Sequence, residues 1–362
     1  MLRRLIVSLL AMTCLPALAR PLPSVPARFH LDVVTDQVPD AREIALGPPG
    51  VIFVGSMDEG AVYAVRWRPG QTAKVTTLAR DLADPAGVAF HGGDLYVSAT
   101  NRILVLRDII DHLDDPPKPE IAVDHLPWKR GDHYWKFIAF GPDGLLYVPI
   151  GAPCNVCAVG HDYGKLMRMR PDGSAREDIA YGIRNSVGIA WPTGATAPLP
   201  LYFTDNGRDG MGDDLPSDEL NRLDRVGQDF GFPFCHQGDT PDPDFGAGHP
   251  CADFTPPLAR PGAHVATLGL RFYDGPMFPA ALRGSVIIAE HGSWDRSTPS
   301  GYRVVAIPLR DGHPGRQTVL LEALSGLTPL ARPADVQPLP DGSLLISDQL
   351  DGRLFRLTYE AP

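Results

Sequence analysis

His133, Arg184, Asn185, Glu219, His291, Arg296 and Arg332, with the glycine-rich stretch around Gly207 and Arg208, are where this chain has side chains and spacings suited to chemistry. Asp132-His133 stands just before the apolar run Lys136 to Phe140. An imidazole is largely neutral at pH 7, its unperturbed pKa being about 6.5, so a histidine at a strand mouth suits general-base work. A loop histidine bonded to a neighbour would read the same way. Arg184-Asn185 occupies the corresponding place before the run Ser186 to Trp191. An arginine there can grip a carboxylate through two parallel N–H bonds, and an asparagine can both donate and accept. A structural ion pair is the plainer alternative. The segment Asp205 to Asp214, DNGRDGMGDD, crowds acids among glycines after an apolar strand. Calcium takes about six to eight oxygens, backbone carbonyls included, and glycine-rich turns expose such carbonyls. The loop lacks the terminal glutamate of an EF-hand, and a solvated acidic surface is the other reading. AEHGSWDRS brings His291, Trp294 and Arg296 after another strand, and Arg332 precedes one more. Three arginines at the mouths of different strands suggest a ligand with several carboxylates lying across a shared centre.

The elements that must position these groups recur six times: a turn rich in Gly, Pro and Asp, an apolar strand, then a second strand. GPPGVIFVG with AVYAVRW comes first, GGDLYVS with RILVLRD second, and GPDGLLYVPIG with KLMRMRPDG third. LPLYFTD with ELNRLD, LRGSVIIAE with GYRVVAIPLRDG, and LPDGSLLISDQ with GRLFRLTYE complete the set. Most units have a further apolar run upstream, as in PAGVAF, KFIAF, SVGIAW, LGLRFY and PADVQPL. Each unit therefore offers three or four short antiparallel strands. Radial repetition of such sheets predicts an all-β, six-bladed β-propeller, with a sandwich as the alternative that leaves the repeating order unexplained. The stretch 206–264 is an insertion between the fourth and fifth units and 109–132 is another long connection. Insertions in repeat folds fall in loops on one face, so the functional groups are expected on a loop-rich top face.

Composition agrees. With 37 Gly and 38 Pro in 362 residues, the chain favours short strands and tight turns over long helices. Arg3 and Arg4, an apolar run from Leu5 to Leu15, and Ala17-Leu18-Ala19 have the layout of a secretory signal ending at residue 19. That run is too short for a mature membrane span, and Ala11-Met12-Thr13 makes a poor lipidation box before Cys14. Cleavage would take the formal charge from −10 to about −12. No basic cluster is present to neutralise phosphates, which argues against nucleic acid. Residues 20–362 are expected to form one periplasmic or secreted propeller domain. Its four cysteines, Cys154, Cys157, Cys235 and Cys251, fit two local disulfides in an exported protein better than a zinc site, although CNVC could also be redox-active.

Taken together, DHYWKFIAFGPDGLLYV, YGIRNSVGIAW, FTDNGRDGMGDDLPSDELN, FGFPFC, AEHGSWDRS and ARPADV resemble the pyrroloquinoline quinone (PQQ)-dependent glucose/sorbosone dehydrogenase family, nearer its sorbosone dehydrogenase-like branch. The resemblance implies a six-bladed propeller with the quinone at the top of its channel. It makes His133 the base that takes a proton from the substrate hydroxyl as hydride passes to the quinone. Arg184 and Asn185 match the pair at the cofactor's reactive carbonyl, where positive charge favours the reduced form. Gly207 and Arg208 match residues whose carbonyls bind calcium (Ca2+), and Glu219 matches an acid tied to a further calcium site in some members. Arg332 matches an arginine on the quinone's carboxylates. The chain departs from the pattern at Ala334, where a second arginine is expected, and in the fifth unit, where a lysine is replaced and His291 and Arg296 are the substitutes at hand. Ala152 follows Gly151 where aldose-type members often carry an acid, and a glutamine loop near the second unit is missing. The expected function is oxidation of an aldose or related, sorbosone-like aldehyde sugar, with electrons leaving to a periplasmic acceptor. A calcium-dependent lactonase and a non-catalytic binding propeller are the competing readings.

Overall fold

The computed structural model describes residues 20–131 and 133–361; the expected signal at 1–19, and Asp132, lie outside them. Six sheets of four or five strands follow one another along the chain. Blade one is Ile44–Leu46, Val51–Val54, Val62–Arg66 and Lys74–Ala79, running from innermost to outermost. Blade two starts at Val88–His91, blade three at Ala139–Phe140, blade four at Ile189–Ala190, blade five at Thr267–Tyr273 and blade six at Pro333–Pro338. The second strands of blades three to six are Leu146–Ile150, Leu201–Asp205, Ser285–Glu290 and Leu344–Asp348. The outermost strand of blade six is Phe29–Thr35, which pairs antiparallel with Arg353–Tyr359 and so closes the ring with the chain's own start. The architecture is the six-bladed β-propeller that the repeats predict.

The strands form where the sequence has unbroken apolar runs because a blade is covered on both faces by its neighbours, which removes the alternation of a half-exposed sheet. VIIA and LLIS are buried at every position. Six apolar clusters result, one in each gap between neighbouring blades: Phe53 meets Leu95 and Val97 between blades one and two, and Ile52 and Val54 meet Leu345 and Leu354 between one and six. Turn chemistry fixes the hairpins. In LPDGSLL, Asp341 accepts the Ser343 N–H at 2.9 Å and Gly342 takes φ +85°, a conformation that side chains resist.

Buried carboxyl groups tie the innermost strands together at the axis. Glu43 Oε2 accepts N–H groups of Val88 (3.0 Å) and Ile138 (3.2 Å), joining blades one, two and three. Asp335 Oδ2 accepts the Ile44 N–H at 2.9 Å and meets Arg271 Nη2 at 3.1 Å, joining blades six, one and five. The insertion 206–264 does not form a separate layer. It lays Gln228–Asp229 parallel against Glu177–Tyr181 of blade three, makes a small hairpin at Cys235–Pro241, and returns as Ala259–Ala263, the outermost strand of blade four. Disulfides join Cys154 to Cys157 and Cys235 to Cys251.

Candidate active site

In an antiparallel blade, the start of the innermost strand and the end of the second strand lie at the same end of the sheet. Residues at those two places from several blades converge on one cavity of about 450 Å³. Arg42, His133, Arg184 and Arg332 come from just before innermost strands. Asn155, Gly207, His291 and Gln349 come from just after second strands. Six of the residues singled out by sequence thus share one wall: His133, Arg184, Asn185, Gly207, His291 and Arg332.

His133 has φ +55° and is 7% exposed. Its Nδ1 lies 3.0 Å from the Ala152 carbonyl. A carbonyl can only accept, so Nδ1 carries the proton and Nε2 keeps its lone pair. Burial, aided by the Arg184 charge, holds the imidazole down at about 3, so it remains neutral through the physiological range. The orienting group that an acid was expected to supply after Gly151 is therefore a backbone oxygen. Gly151 itself has to be glycine: a Cβ there would stand 2.4 Å from His133 O and 2.7 Å from its Cβ. His291 repeats the arrangement, with Nδ1 3.1 Å from Pro333 O and its pKa pushed far down by burial and then by Arg332 and Arg42.

Arg184 is clamped from several sides. Nε donates to Asn155 O and Nη2 to Asn155 Oδ1, both at 2.8 Å; Nη1 reaches Asn206 O at 3.2 Å and Nη2 meets Asp209 at 3.1 Å. Asn155 in turn accepts the Asp209 N–H at 2.8 Å and lies between the two cysteines of the Cys154–Cys157 disulfide. Asp205, buried behind, accepts the backbone N–H groups of Arg184 (2.9 Å) and Asn185 (2.6 Å). Asn185 Nδ2 donates to Asn206 Oδ1 at 3.2 Å.

The remaining predicted residues lie outside the cavity wall. Arg208 turns away from it: Nη1 pairs with Asp242 at 2.5 Å, and that carboxylate also holds His236 at 2.8 Å. Glu219 sits in a smaller void beside Asp205 and Gly207, accepting from Gln237 N and Asn221 Nδ2. Burial and then Asp205 raise its pKa, while burial lifts Asp218 to about 6. Arg296 binds the Asp213 carbonyl and meets Asp214 at 3.0 Å, bracing the acidic loop. Asp209 and Asp214 of that loop pair with Arg184 and Arg296, while Asp213 accepts the Ser297 N–H at 3.1 Å. Among the described residues no three His, Cys, Asp or Glu side chains are placed to hold a metal. The Gly207 and Arg208 carbonyls accept no hydrogen bond among the described residues, which leaves their oxygens available.

Arg42, Asn155, Trp135 and Gln349 are cavity residues that the sequence reading passed over. The signal for Arg42 was its place before a strand, obscured because Ile44–Leu46 is only three residues long. Trp135 lines the cavity, and its Nε1 is buried with no partner among the described residues.

The chain is an all-β propeller with arginine, histidine and amide groups gathered at one end of its axis. Comparison with known proteins is more specific. A family model described as Glucose / Sorbosone dehydrogenase matches residues 118–293, a stretch that includes His133, Arg184, Asn185, Gly207, Arg208, Glu219 and His291. An uncharacterized protein of Borreliella burgdorferi is 28% identical over 93% of this chain and 90% of its own length. The fold is shared with the calcium structure of a Trichoderma reesei carbohydrate-active enzyme of family AA12 (TM-score 0.81, 19% identity, 95% of this chain and 98% of that one). It is shared also with the holo form of the PQQ domain of a Coprinopsis cinerea pyranose dehydrogenase (0.76, 18%, 93% and 98%). A PQQ-bound aldose sugar dehydrogenase from Streptomyces coelicolor is similar too (0.66, 22%, 93% and 100%).

Proposed function

We propose that this protein is an exported quinoprotein dehydrogenase that oxidises an aldose or a related, sorbosone-like aldehyde sugar, using PQQ and calcium in the cavity and passing electrons to a periplasmic acceptor. The observation that carries this reading is the pairing of a neutral, oriented His133 with a rigidly held Arg184 on the wall of one polar cavity. The quinone named for the Coprinopsis and Streptomyces proteins has carboxylates and carbonyls that suit a wall built of guanidinium, imidazole and amide groups. When bound, the quinone supplies the acceptor for a hydride. His133 Nε2 takes the proton from the substrate hydroxyl, and Arg184 offers fixed positive charge where negative charge develops. Asn155 keeps Arg184 in place, so little reorganisation accompanies the reaction. The Gly207 and Arg208 carbonyls would hold a calcium ion, which would supply positive charge at this end of the cavity.

Export is supported by the layout of residues 1–19 and by the two disulfides. The lactonase reading needs carboxylates converging on a cation in the channel, and no such set stands among the described residues. The test is a dye-linked dehydrogenase assay of protein purified without cofactor. Sugar oxidation should require both quinone and calcium. Lactone hydrolysis with calcium alone, and no sugar oxidation, would overturn the proposal.

A further inference from the structure

Residues 153–158 leave the end of the second strand of blade three without a backbone ladder of their own. Among the described residues, no backbone–backbone hydrogen bond engages any of them. The segment is closed instead by the bond between Cys154 and Cys157, with Asn155 held between them. The Asn155 backbone carbonyl accepts from Arg184 Nε and its side-chain oxygen from Arg184 Nη2, both at 2.8 Å. The same side-chain oxygen accepts the Asp209 N–H at 2.8 Å, and Nδ2 donates to the Asp209 carbonyl at 3.2 Å. One asparagine therefore joins an arginine of the cavity wall to the loop that carries Gly207 and Arg208.

The two disulfides differ in their surroundings. Cys235 is 2% exposed, so one sulfur of that bridge lies inside the fold. Cys154 and Cys157 are both partly exposed, and Ala158 beside them is open to solvent. Exchange requires a thiolate to reach a sulfur, so access decides which bond reacts. Two cysteines separated by only three positions also stay near each other once parted, and the bond re-forms at little entropic cost. The Cys154–Cys157 pair is thus accessible, easily re-closed and linked to the cavity through a single residue.

We propose that Cys154–Cys157 is a thiol–disulfide exchange site through which a dithiol donor turns the cavity off and reoxidation turns it on. A donor thiolate attacks one of the two sulfurs, forming a mixed disulfide and freeing the other cysteine. The donor's second thiolate then breaks the mixed disulfide. The donor leaves as its own disulfide, having given up two electrons and two protons, and Cys154 and Cys157 remain as thiols. Without its covalent closure, Asn155 no longer fixes Arg184 and Asp209. The inference goes beyond the quinone reading, and only the turnover arm of its test rests on that reading.

The test poises the protein in mixtures of reduced and oxidised dithiothreitol. Thiols are trapped by alkylation and located by peptide mass spectrometry, and amide hydrogen exchange is followed on the same ligand-free samples. Cys154 and Cys157 should be alkylated at poises that leave Cys235–Cys251 intact. In that state the Asp209 N–H, held by Asn155, should exchange faster by about tenfold or more. The N–H groups of Arg184 and Asn185, held by Asp205 at 2.9 and 2.6 Å, should keep their rates. Turnover should fall by about tenfold in step with the alkylation and return on reoxidation. Cys154→Ser with Cys157→Ser should copy the reduced state at every poise, and should that variant fail to fold, reduction of the wild type decides alone. Asp209 exchange, or turnover of an active enzyme, that is unchanged when Cys154 and Cys157 are thiols would overturn the proposal. Earlier reduction of Cys235–Cys251 would overturn it too. A wild type without sugar oxidation at any poise, but with Asp209 exchange still set by the poise, would overturn the quinone reading and leave the exchange site standing.

Discussion

At the scale of single residues, the proposed function makes His133 the proton acceptor and its neighbours the supports. His133→Gln keeps a polar group in the cavity but removes the ring nitrogen. Turnover should fall by about 10²- to 10⁴-fold, with quinone affinity changed by only a few fold, as measured by steady-state kinetics beside calorimetry. Loss of quinone binding in step with turnover would assign His133 to the cofactor instead. Gly151→Ala tests the packing that sets the base. The added methyl has no room against His133, so the variant should lose about 1–3 kcal/mol in denaturant unfolding and should lose turnover as well. That His133, Arg184, Asn185, His291 and Arg332 gather at one cavity was legible in the sequence because each stands beside an apolar strand that announces itself. Sequence reading could not find the orienting Ala152 carbonyl, since a backbone oxygen leaves no trace in residue type. Nor could it see that Arg208 and Arg296 spend their charges on Asp242 and Asp214, contacts made between segments far apart in the chain.

At the scale of elements, the loop that follows the second strand of blade three is the one that holds Arg184. Its disulfide spans Asn155, whose side chain and carbonyl both accept from that arginine. Replacing Cys154 and Cys157 together with serine frees the loop from its closure. The expected result is a drop of about tenfold or more in turnover with a melting temperature lowered by only a few degrees, because the loop closed is very short. Unchanged turnover would show that the hydrogen bonds of Asn155 suffice alone. The repeating hairpins were legible because blades covered on both faces demand continuous apolar runs. Ile44–Leu46 was missed because it is three residues long and follows two charged residues, Arg42 and Glu43. Phe29–Thr35 was missed because it is an outermost strand, half exposed and alternating, with nothing in it to show that its partner is more than 300 residues away.

At the scale of the whole molecule, the ring is closed by that first strand and tied at its axis by buried acids. Deleting residues 20–35 would bare the edge of Arg353–Tyr359 and uncover Phe278 and Tyr359, which pack on Phe29. It should cost about 2–4 kcal/mol and promote self-association visible in light scattering. Glu43 gives the molecule a pH dependence. Burial and then Asp335 raise its pKa well above the ordinary 4.5, so the unfolded chain releases this proton before the folded one does. Its contribution to stability is complete below about pH 4.5 and is lost as pH rises through the folded value. Glu43→Gln keeps an acceptor for Val88 and Ile138 without the charge, so its unfolding free energy should decline less between pH 5 and 8, by up to about 1.4 kcal/mol per pH unit. Parallel profiles would contradict the assignment. The central claim, that the axial cavity is a quinone site for sugar oxidation, is tested most directly by the absorbance spectrum of protein reconstituted with PQQ and calcium. Addition of an aldose, without dye, should convert the bound quinone to its reduced form at one equivalent per chain. A bound quinone whose spectrum no aldose or aldehyde sugar alters would contradict it.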